Sequence, residues 1–429
     1  MHSPRTSGGT GGRWNVLEAG PRFGSTKLAA ARGALALATL SALLLITPTR
    51  AGAQTETVLY SFCAQSGCTD GNHPEARLVL DPSGNLYGTT DVGGANALGT
   101  VFEVSASGSE TVLYSFCSLP DCDDGDHPRA GLILDAEGNL YGGIYDGGTH
   151  DGGIVAEFSP TGAETVLYDF CSKPACRDGY YPHSDLVMDK NGNLYGTTQY
   201  RGAYTGGNVY EVSSNGTESV LYGFCQQSGC TDGNAPKAGL VLDGNGNLYG
   251  TTYKGGANGE GVVYEVSPSG IETVLYSFCA QTGCKDGSNP EADLVLDTEG
   301  NLYGTTYKGG AHGKGTVFEV SASGIETVLY SFCAQAGCKD GSSPEAGLVL
   351  DAKGNLYGTT YSGGGPKKRG TVFEVSPSGT ETVLHSFNAK GTDGYNPSAS
   401  LVMDAKGNLY GTTYAGGAHG GGTVFEVTP

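Results

Sequence analysis

Short apolar blocks alternate with clusters of Gly, Pro, Asn, Asp and Ser along most of the chain. The block ETVLYSF, or a close variant, begins at Glu56, Glu110, Glu164, Glu218, Glu272, Glu326 and Glu381, at intervals of 54 residues five times and 55 once. Each unit holds four such blocks. In the first they are ETVLYSF (56–62), ARLVLD (76–81), NLYGTT (85–90) and GTVFEV (99–104). All are short, rich in β-branched and aromatic residues, and bounded by turn formers, which is the pattern of strands. None carries a helical period. Self-similarity at this length points to a propeller, a solenoid or an array. Four strands per unit favour propeller blades, whereas β-solenoid repeats are usually shorter. The expected fold is all-β, a seven-bladed β-propeller of four-stranded blades.

The phase of the repeat supports ring closure. We name the strands a (LVLD), b (NLYGTT), c (TVFEV) and d (ETVLYSF). The repeats begin with strand d and end with strand c at Val427, before Thr428 and Pro429. The last blade then takes three strands from the C-terminal end and its fourth from the N-terminal ETVLYSF. A ring closed in this way exposes no sheet edge, the usual hazard of β proteins, and a monomer is expected.

Composition changes the picture at the N-terminus. Residues 1–53 hold a basic leader (Arg5, Arg13, Arg22, Lys27, Arg32), an apolar run at 34–46 and Ala51-Gly52-Ala53. This reads as a signal peptide cleaved near Gln54, with 54–429 as the propeller domain. The apolar run is short for a membrane span, so no membrane insertion is expected after cleavage; an uncleaved anchor is the alternative. The leader is long, which leaves open a true start downstream of Met1. Gly is the extreme component, at 73 residues, as tight turns and bulges demand.

Removing the leader, with six basic residues and one acidic one, takes the net charge from −20 to −25. Such a surface repels phosphate backbones and anionic lipid, which argues against nucleic acid as a partner. Lys367-Lys368-Arg369 is a local basic exception.

The cysteines fall in six pairs: Cys63 with Cys68, Cys117 with Cys122, Cys171 with Cys176, Cys225 with Cys230, Cys279 with Cys284, and Cys333 with Cys338. Each pair follows strand d and is expected in the d–a loop. The last unit has FNAKGTDG (387–394) instead. Disulfides in an oxidising compartment are the natural reading. Two thiols per loop, with no recurring His, fall short of a zinc set.

The run D-x-x-G-N-L-Y-G-T-T-Y-x-G-G-A followed by G-T-V-F-E-V-S-x-S-G, clearest at 297–324, resembles the GloVer-type tandem repeats. These occur in secreted bacterial proteins that often carry a C-terminal anchor. The resemblance covers nearly all of 56–429 and implies a secreted or periplasmic bacterial protein. It implies no reaction, because the family is defined by its repeat. With no anchor after Pro429, release is expected rather than surface attachment. The D-x-x-G-N turn before an aromatic strand is similar, more weakly, to streptogramin-lyase-type propellers. Those are metal-dependent lyases, but no copy of their catalytic set stands out here, so the likeness is one of fold.

Antiparallel order puts the a–b and c–d turns on one face and the longer b–c and d–a loops on the other. Binding residues usually sit on varied loops over a rigid scaffold, so the second face is the expected functional one. An Asp-Gly recurs in every d–a loop (Asp70, Asp124, Asp178, Asp232, Asp286, Asp340, Asp393), and a Glu in every strand c (Glu103, Glu157, Glu211, Glu265, Glu319, Glu374, Glu426). The Asp loops invite calcium, which prefers oxygen ligands. Their other reading is structural, with Asp holding the turn by side-chain-to-backbone bonds. No cofactor is otherwise required, and the sequence assigns no metal ligands.

A working site should break the ring's pseudosymmetry. Strand a is expected to line the channel. Before its Leu the series is Arg77, Gly131, Asp185, Gly239, Asp293, Gly347, Ser400. Two residues earlier it is Glu75, Arg129, His183, Lys237, Glu291, Glu345, Ser398, expected at the channel mouth. A hydrated channel that tolerates charge is the bland alternative. The third unit is the most irregular, with Tyr180, Tyr181 and His183 in one loop and Tyr200, Arg201 and Tyr204 in the next. Exposed Tyr beside Arg and His suits stacking on sugars or anchoring a peptide, although neutral drift would look similar. The candidate ligand-binding set is Arg77, Tyr180, Tyr181, His183, Asp185, Tyr200, Arg201, Tyr204, Glu291 and Asp293.

No G-x-S-x-G elbow, H-E-x-x-H or P-loop is present, and no catalytic residue is assigned. Three readings follow. The leading one is a non-enzymatic module binding an extracellular glycan or protein. The second is a lyase or glycosidase using His183 with Asp185, Glu291 or Asp293, its imidazole poised near neutral pH. The third is an acidic structural spacer.

Overall fold

A computed structural model describes residues 55–388 and 392–429. The expected signal peptide and its cleavage near Gln54 lie outside the described residues.

The strands form seven antiparallel blades, each in the order a–b–c–d, six of four strands and blade 3 of five, with a two-stranded pair of Gly394–Tyr395 and Ala415–Gly416 beside blade 7. In blade 1 these are Val79–Leu80, Leu86–Thr90, Thr100–Val104 and Glu110–Ser115. Strand b pairs with c from Leu86↔Val104 to Thr90↔Thr100. A bulge between Val101 and Phe102 offsets c against d. In blade 7, Val402–Met403, Leu409–Thr413 and Thr423–Thr428 are completed by the N-terminal Thr55–Ser61. Its register runs from Thr55↔Thr428 to Ser61↔Thr423. The ring closes with first and last strands side by side.

Strand a is shorter than its apolar block suggests. Only two of its residues pair with strand b, as in Val79↔Tyr87 and Leu80↔Leu86. The residues before them run along the channel wall. The d–a loop that leads into strand a also bridges to the end of strand b, as Asn72 does to Val92 and Ser342 to Ser362. In blade 3 this grows into an extra strand, Tyr180–Pro182, against a strand b lengthened to Leu194–Tyr200. The sequence reading places Tyr180 and Tyr181 in a loop; the ladder with Thr198 and Tyr200 makes them strand.

The d–a loops are also more ordered than a plain loop. The second cysteine of four pairs ends a single 3-10 turn: Cys68 in Ser66–Cys68, Cys122 in Pro120–Cys122, Cys176 in Pro174–Cys176 and Cys230 in Ser228–Cys230. Cys284 and Cys338 sit in hydrogen-bonded turns at the same place, their amides donating to Gln281 and Gln335 carbonyls at 2.8 and 2.9 Å. All twelve cysteines take left-handed backbone, from Cys63 at φ 66° to Cys338 at φ 53°. This reverses the chain at both ends of the bridge. Spacing showed the pairing but not the turn, because its residues differ (SGC, PDC, PAC) and carry no helical period.

The hydrophobic core lies between blades. Val101 of blade 1 packs with Phe116, Leu132, Leu140 and Phe158 across the interface with blade 2. Each interface holds one tilted or edge-on aromatic pair in which the ring ending strand d meets the ring of the next strand c. Phe62–Phe102 stands at 4.9 Å and Phe116–Phe158 at 5.7 Å. Phe170–Tyr210, Phe224–Tyr264, Phe278–Phe318, Phe332–Phe373 and Phe387–Phe425 repeat the contact. Edge-on aromatic pairs contribute beyond the area they bury. The Gly of NLYGTT makes room for these rings: a Cβ at Gly88 would sit 2.7 Å from Phe102 Cζ and 2.9 Å from Leu78 Cδ2.

Candidate functional site

The d–a loops are pinned before they reach the channel. All six expected disulfides are formed: Cys63 to Cys68, Cys117 to Cys122, Cys171 to Cys176, Cys225 to Cys230, Cys279 to Cys284, and Cys333 to Cys338. This is the bonding of an oxidising compartment. The second cysteine of each pair does more than close the bridge. Its carbonyl accepts the amide of the Asp-Gly glycine and that of a glycine in the b–c loop. Cys122 takes Gly125 and Gly148, at 2.8 and 3.0 Å. Cys68, Cys176, Cys230, Cys284 and Cys338 repeat both bonds, so every bridged loop is tied to its neighbouring b–c loop. Among the described residues no helix is long and apolar enough to cross a membrane.

Behind each bridge, the loop Asp is buried. Asp70 Oδ2 accepts hydrogen bonds from the Ala64 amide (2.9 Å) and the Tyr60 hydroxyl (2.9 Å), and Oδ1 accepts one from the Gln65 amide (3.2 Å). Asp124, Asp286 and Asp340 repeat the pattern. These carboxylates hold their turns by side-chain-to-backbone bonds. The strand-c Glu residues lie elsewhere, facing the Tyr of strand b, as in Tyr87↔Glu103.

The loops deliver their last residues to the channel mouth. Glu75, Arg129, His183, Lys237, Glu291, Glu345 and Ser398 line a cavity of about 250 Å³ there. This is the series expected from sequence, one residue per blade. Arg129 Nε lies 3.7 Å from Glu75 Oε1 and 3.1 Å from Asp91 Oδ1, and Lys237 Nζ lies 3.0 Å from Glu291 Oε2. Among the described residues Glu345 has no such ion pair. Burial, and then the neighbouring Glu291, push its carboxyl up to about 8 against the pull of Lys237. Burial and then Asp91 raise Glu75 to about 7, against Arg129 and His127. Burial, followed by Lys237 and Arg129, drives His183 down to about 4. The imidazole is therefore neutral at pH 7 and not poised near neutral pH, because burial and then the two nearby cations both disfavour its charged form.

One layer deeper, the series Arg77 to Ser400 alternates between large residues and Gly. Asp185 Oδ1 accepts a hydrogen bond from the Gly131 amide, and Asp293 Oδ1 from the Gly239 amide. Ser400 Oγ accepts one from the Gly347 amide at 2.8 Å. Each polar side chain thus folds back over the bare glycine of the preceding blade. Arg77 Nε reaches Asp185 Oδ2 at 3.2 Å. Burial raises the pKa of Asp293, as does the charge of Asp185, while Arg77 and the Gly239 amide oppose the shift.

An aromatic shelf leads from the mouth onto blade 3. His183 meets the Tyr145 ring edge-on at 5.6 Å, and Tyr145 stacks on Tyr181 at 4.3 Å. Tyr181 touches Tyr180 at 4.0 Å and Tyr200 at 6.3 Å. Tyr200 is 45% exposed and Tyr204 49% exposed. Tyr181, in the middle of the added strand, and Arg201, just past the end of strand b, both take left-handed backbone. The candidates therefore form two groups. Arg77, His183, Asp185, Glu291 and Asp293 lie in the channel. Tyr180, Tyr200, Arg201 and Tyr204 lie on blade 3, and Tyr181 links the two.

Sequence reasoning missed the tyrosines after strand b. Tyr145 is covered by Arg129 at 4.5 Å, and Tyr253 by Lys237 at 4.3 Å. Burial raises the pKa of Tyr307 and Tyr361, with the Glu345 charge next in each case. Their signal was the Tyr of Tyr-x-Gly-Gly, which reads as a turn flank until the ring brings its copies round one mouth.

Among solved structures, the chain is similar to virginiamycin B lyase from Staphylococcus aureus. The identity is 11%, 88% of this chain and 99% of that one are covered, and the TM-score is 0.57. A putative 6-phosphogluconolactonase from Bacteroides uniformis matches at 15% identity over 72% of this chain and 83% of its own, with a TM-score of 0.44. PorZ of Porphyromonas gingivalis matches at 12% identity over 83% and 46%, with a TM-score of 0.48. At these identities the likeness to the lyase is one of fold. No curated protein matches the chain. The sequence profile of the Gloeobacter/Verrucomicrobia repeat matches residues 44–202 and 327–429, more than half of the chain, and the chain belongs to that family.

Proposed function

We propose that the protein is an exported, monomeric binding module that holds the end of an extracellular glycan at the channel mouth. The carrying observation is the continuous track from the mouth through Tyr145 and Tyr181 to exposed Tyr200. Stacked rings are rigid, so a ligand laid along them loses little side-chain freedom. The local charge supports a neutral, hydroxyl-rich ligand. The mouth pairs Arg129 with Glu75 and Lys237 with Glu291 within a chain of net charge −20. Paired carboxylates and cations offer both acceptors and donors to sugar hydroxyls. The disulfides and the basic-then-apolar leader support export to the periplasm or beyond.

Thermal-shift and calorimetric titration with polysaccharide fragments test this reading. A fragment that binds the folded state must raise the melting point. Tyr200→Ala should weaken that binding at least tenfold with the melting point of the free protein unchanged. Equal affinity in the variant would sink the reading.

One observation favours an enzyme instead. Glu345 holds its proton near neutral pH beside Glu291, and Glu75 does so beside Asp91, as a general acid requires. A lyase or glycosidase at the mouth would lose turnover in Glu345→Gln with its melting point retained, whereas a binder would show no turnover to lose.

A further inference from the structure

The interface between blades 6 and 7, a seam to which the N-terminal strand contributes, departs from the other six. At those six, the strand-d Tyr (Tyr60, Tyr114, Tyr168, Tyr222, Tyr276, Tyr330) donates its hydroxyl proton to the loop Asp at 2.7–3.0 Å. A Glu on strand d of the following blade stands beside each pair, as Glu272 does 3.3 Å from Tyr222 Oη. One phenol therefore sits between two carboxylates. Between blades 6 and 7 the carboxylates remain, as Asp393 and Glu56, but His385 replaces the phenol. It keeps the Tyr position in the sheet: His385 pairs with Val372 as Tyr330 pairs with Val317.

The exchange leaves polar atoms unsatisfied. His385 Nε2 is 3.5 Å from Asp393 Oδ1, too long for a good hydrogen bond. Glu56 Oε1, His385 Nε2 and Asp393 Oδ1 are each buried without a hydrogen-bond partner. The Asp393 side chain is 9% exposed and that of His385 19%. Glu Oε1 is unpartnered at the other interfaces too, as at Glu110 and Glu326, so the Glu alone says nothing. What is particular to the seam is an imidazole facing it. One ligand atom from each of the three residues falls within 4.8 Å of the others. The Asn388 amide donates to Asp393 Oδ2 at 2.9 Å, which fixes the carboxylate with Oδ1 turned towards the imidazole.

We propose that Glu56, His385 and Asp393 form a site for one divalent transition-metal ion, which ties the N-terminal strand to the end of blade 6. One imidazole and two carboxylates suit zinc and its neighbours rather than calcium or magnesium. Two ligands about 2.1 Å from a tetrahedral ion stand roughly 3.4 Å apart, close to the His385–Asp393 separation. Placement adds a reason: the loop into blade 7 is the one without a cysteine pair. The ion would fasten the N-terminal strand at the one interface whose connecting loop has no cysteine pair to brace it.

The test uses the oxidised full chain, stripped with EDTA and dialysed, then titrated with Zn²⁺ by calorimetry and followed by melting point. The control is His385→Tyr, which rebuilds the arrangement of the other six interfaces and should fold. Wild type should bind one Zn²⁺ and melt higher with it. His385→Tyr should lose at least tenfold in zinc affinity, and its melting point should not respond to EDTA. The assignment is overturned if wild type takes up no zinc, or if the variant binds it equally well. A response to Ca²⁺ alone, retained in His385→Tyr, would overturn it too, by placing the ion on the loop aspartates.

Discussion

Arg77 of blade 1 reaches past blade 2 to Asp185 of blade 3, with Nε 3.2 Å from Oδ2. The span is open because blade 2 contributes Gly131, whose amide Asp185 also binds. The same cation lowers the energy of charge on Asp293. One arginine therefore balances two inward-facing carboxyls.

Arg77→Ala should leave that pair without a counter-charge. We expect a loss of about 1–2 kcal/mol at pH 8, below the figure for a fully buried pair because Arg77 is 39% exposed. The loss should shrink at pH 5. Asp293 has a raised pKa when folded, so the proton it takes up at low pH removes one of the two charges. Denaturant titrations at both pH values measure the difference, and an equal loss at each would contradict the coupling.

Closure and blade anatomy were legible in the sequence because the repeat is phased. ETVLYSF opens the first unit and TVFEV ends the last, so each supplies the strand the other lacks. The mouth series was legible for a related reason: a fixed offset within every unit maps to a fixed height in the channel. Contacts that cross between units were not legible. Tyr145 meeting Tyr181, or Glu56 meeting His385, depends on the angle between blades, which no spacing within one unit encodes. The fate of His183 was hidden likewise, since its neutrality comes from burial and from Lys237 and Arg129 on two other blades.

Gly88→Ala should be costly even though strand b tolerates alanine in principle. The new Cβ would meet Phe102 Cζ at 2.7 Å and Leu78 Cδ2 at 2.9 Å, both in the core. Overpacking of this kind costs about 1–3 kcal/mol. Gly84→Ala serves as a contrast, since its nearest neighbour is Ala106 Cβ at 3.4 Å and its cost comes from backbone alone, at φ +87°. A smaller loss at Gly88 than at Gly84 would mean that the aromatic pair shifts freely.

Breaking one bridge should be mild. Cys63→Ser with Cys68→Ser opens a loop of five-residue separation, for which chain entropy allows about 2 kcal/mol at most. Asp70 still holds the same turn through the Ala64 and Gln65 amides. The double variant should fold and keep any glycan binding, while Asp70→Ala in that background should cost more than it does alone. Additive losses would show that bridge and carboxylate act independently.

Acid should stabilise this protein across a range where many lose stability. Glu110, Glu164, Glu272, Glu326 and Glu381 are each pushed up to about 7, by burial first and then by the loop Asp of the same interface. Glu75 and Glu345 follow at the mouth, at about 7 and about 8. For a carboxyl with a raised folded pKa, the folded state binds more protons than the unfolded one between about pH 4.5 and pH 8. Stability must then fall as pH rises through that window. The groups are partly exposed, so each contributes modestly, but all act in one direction. The melting point should be higher at pH 5 than at pH 8. Glu326→Gln and Glu381→Gln together should raise it at pH 8 and leave it nearly unchanged at pH 5, because glutamine copies the protonated acid. A flat profile in wild type, or a variant that gains equally at both pH values, would show that water or a bound cation keeps these carboxylates charged at the blade interfaces.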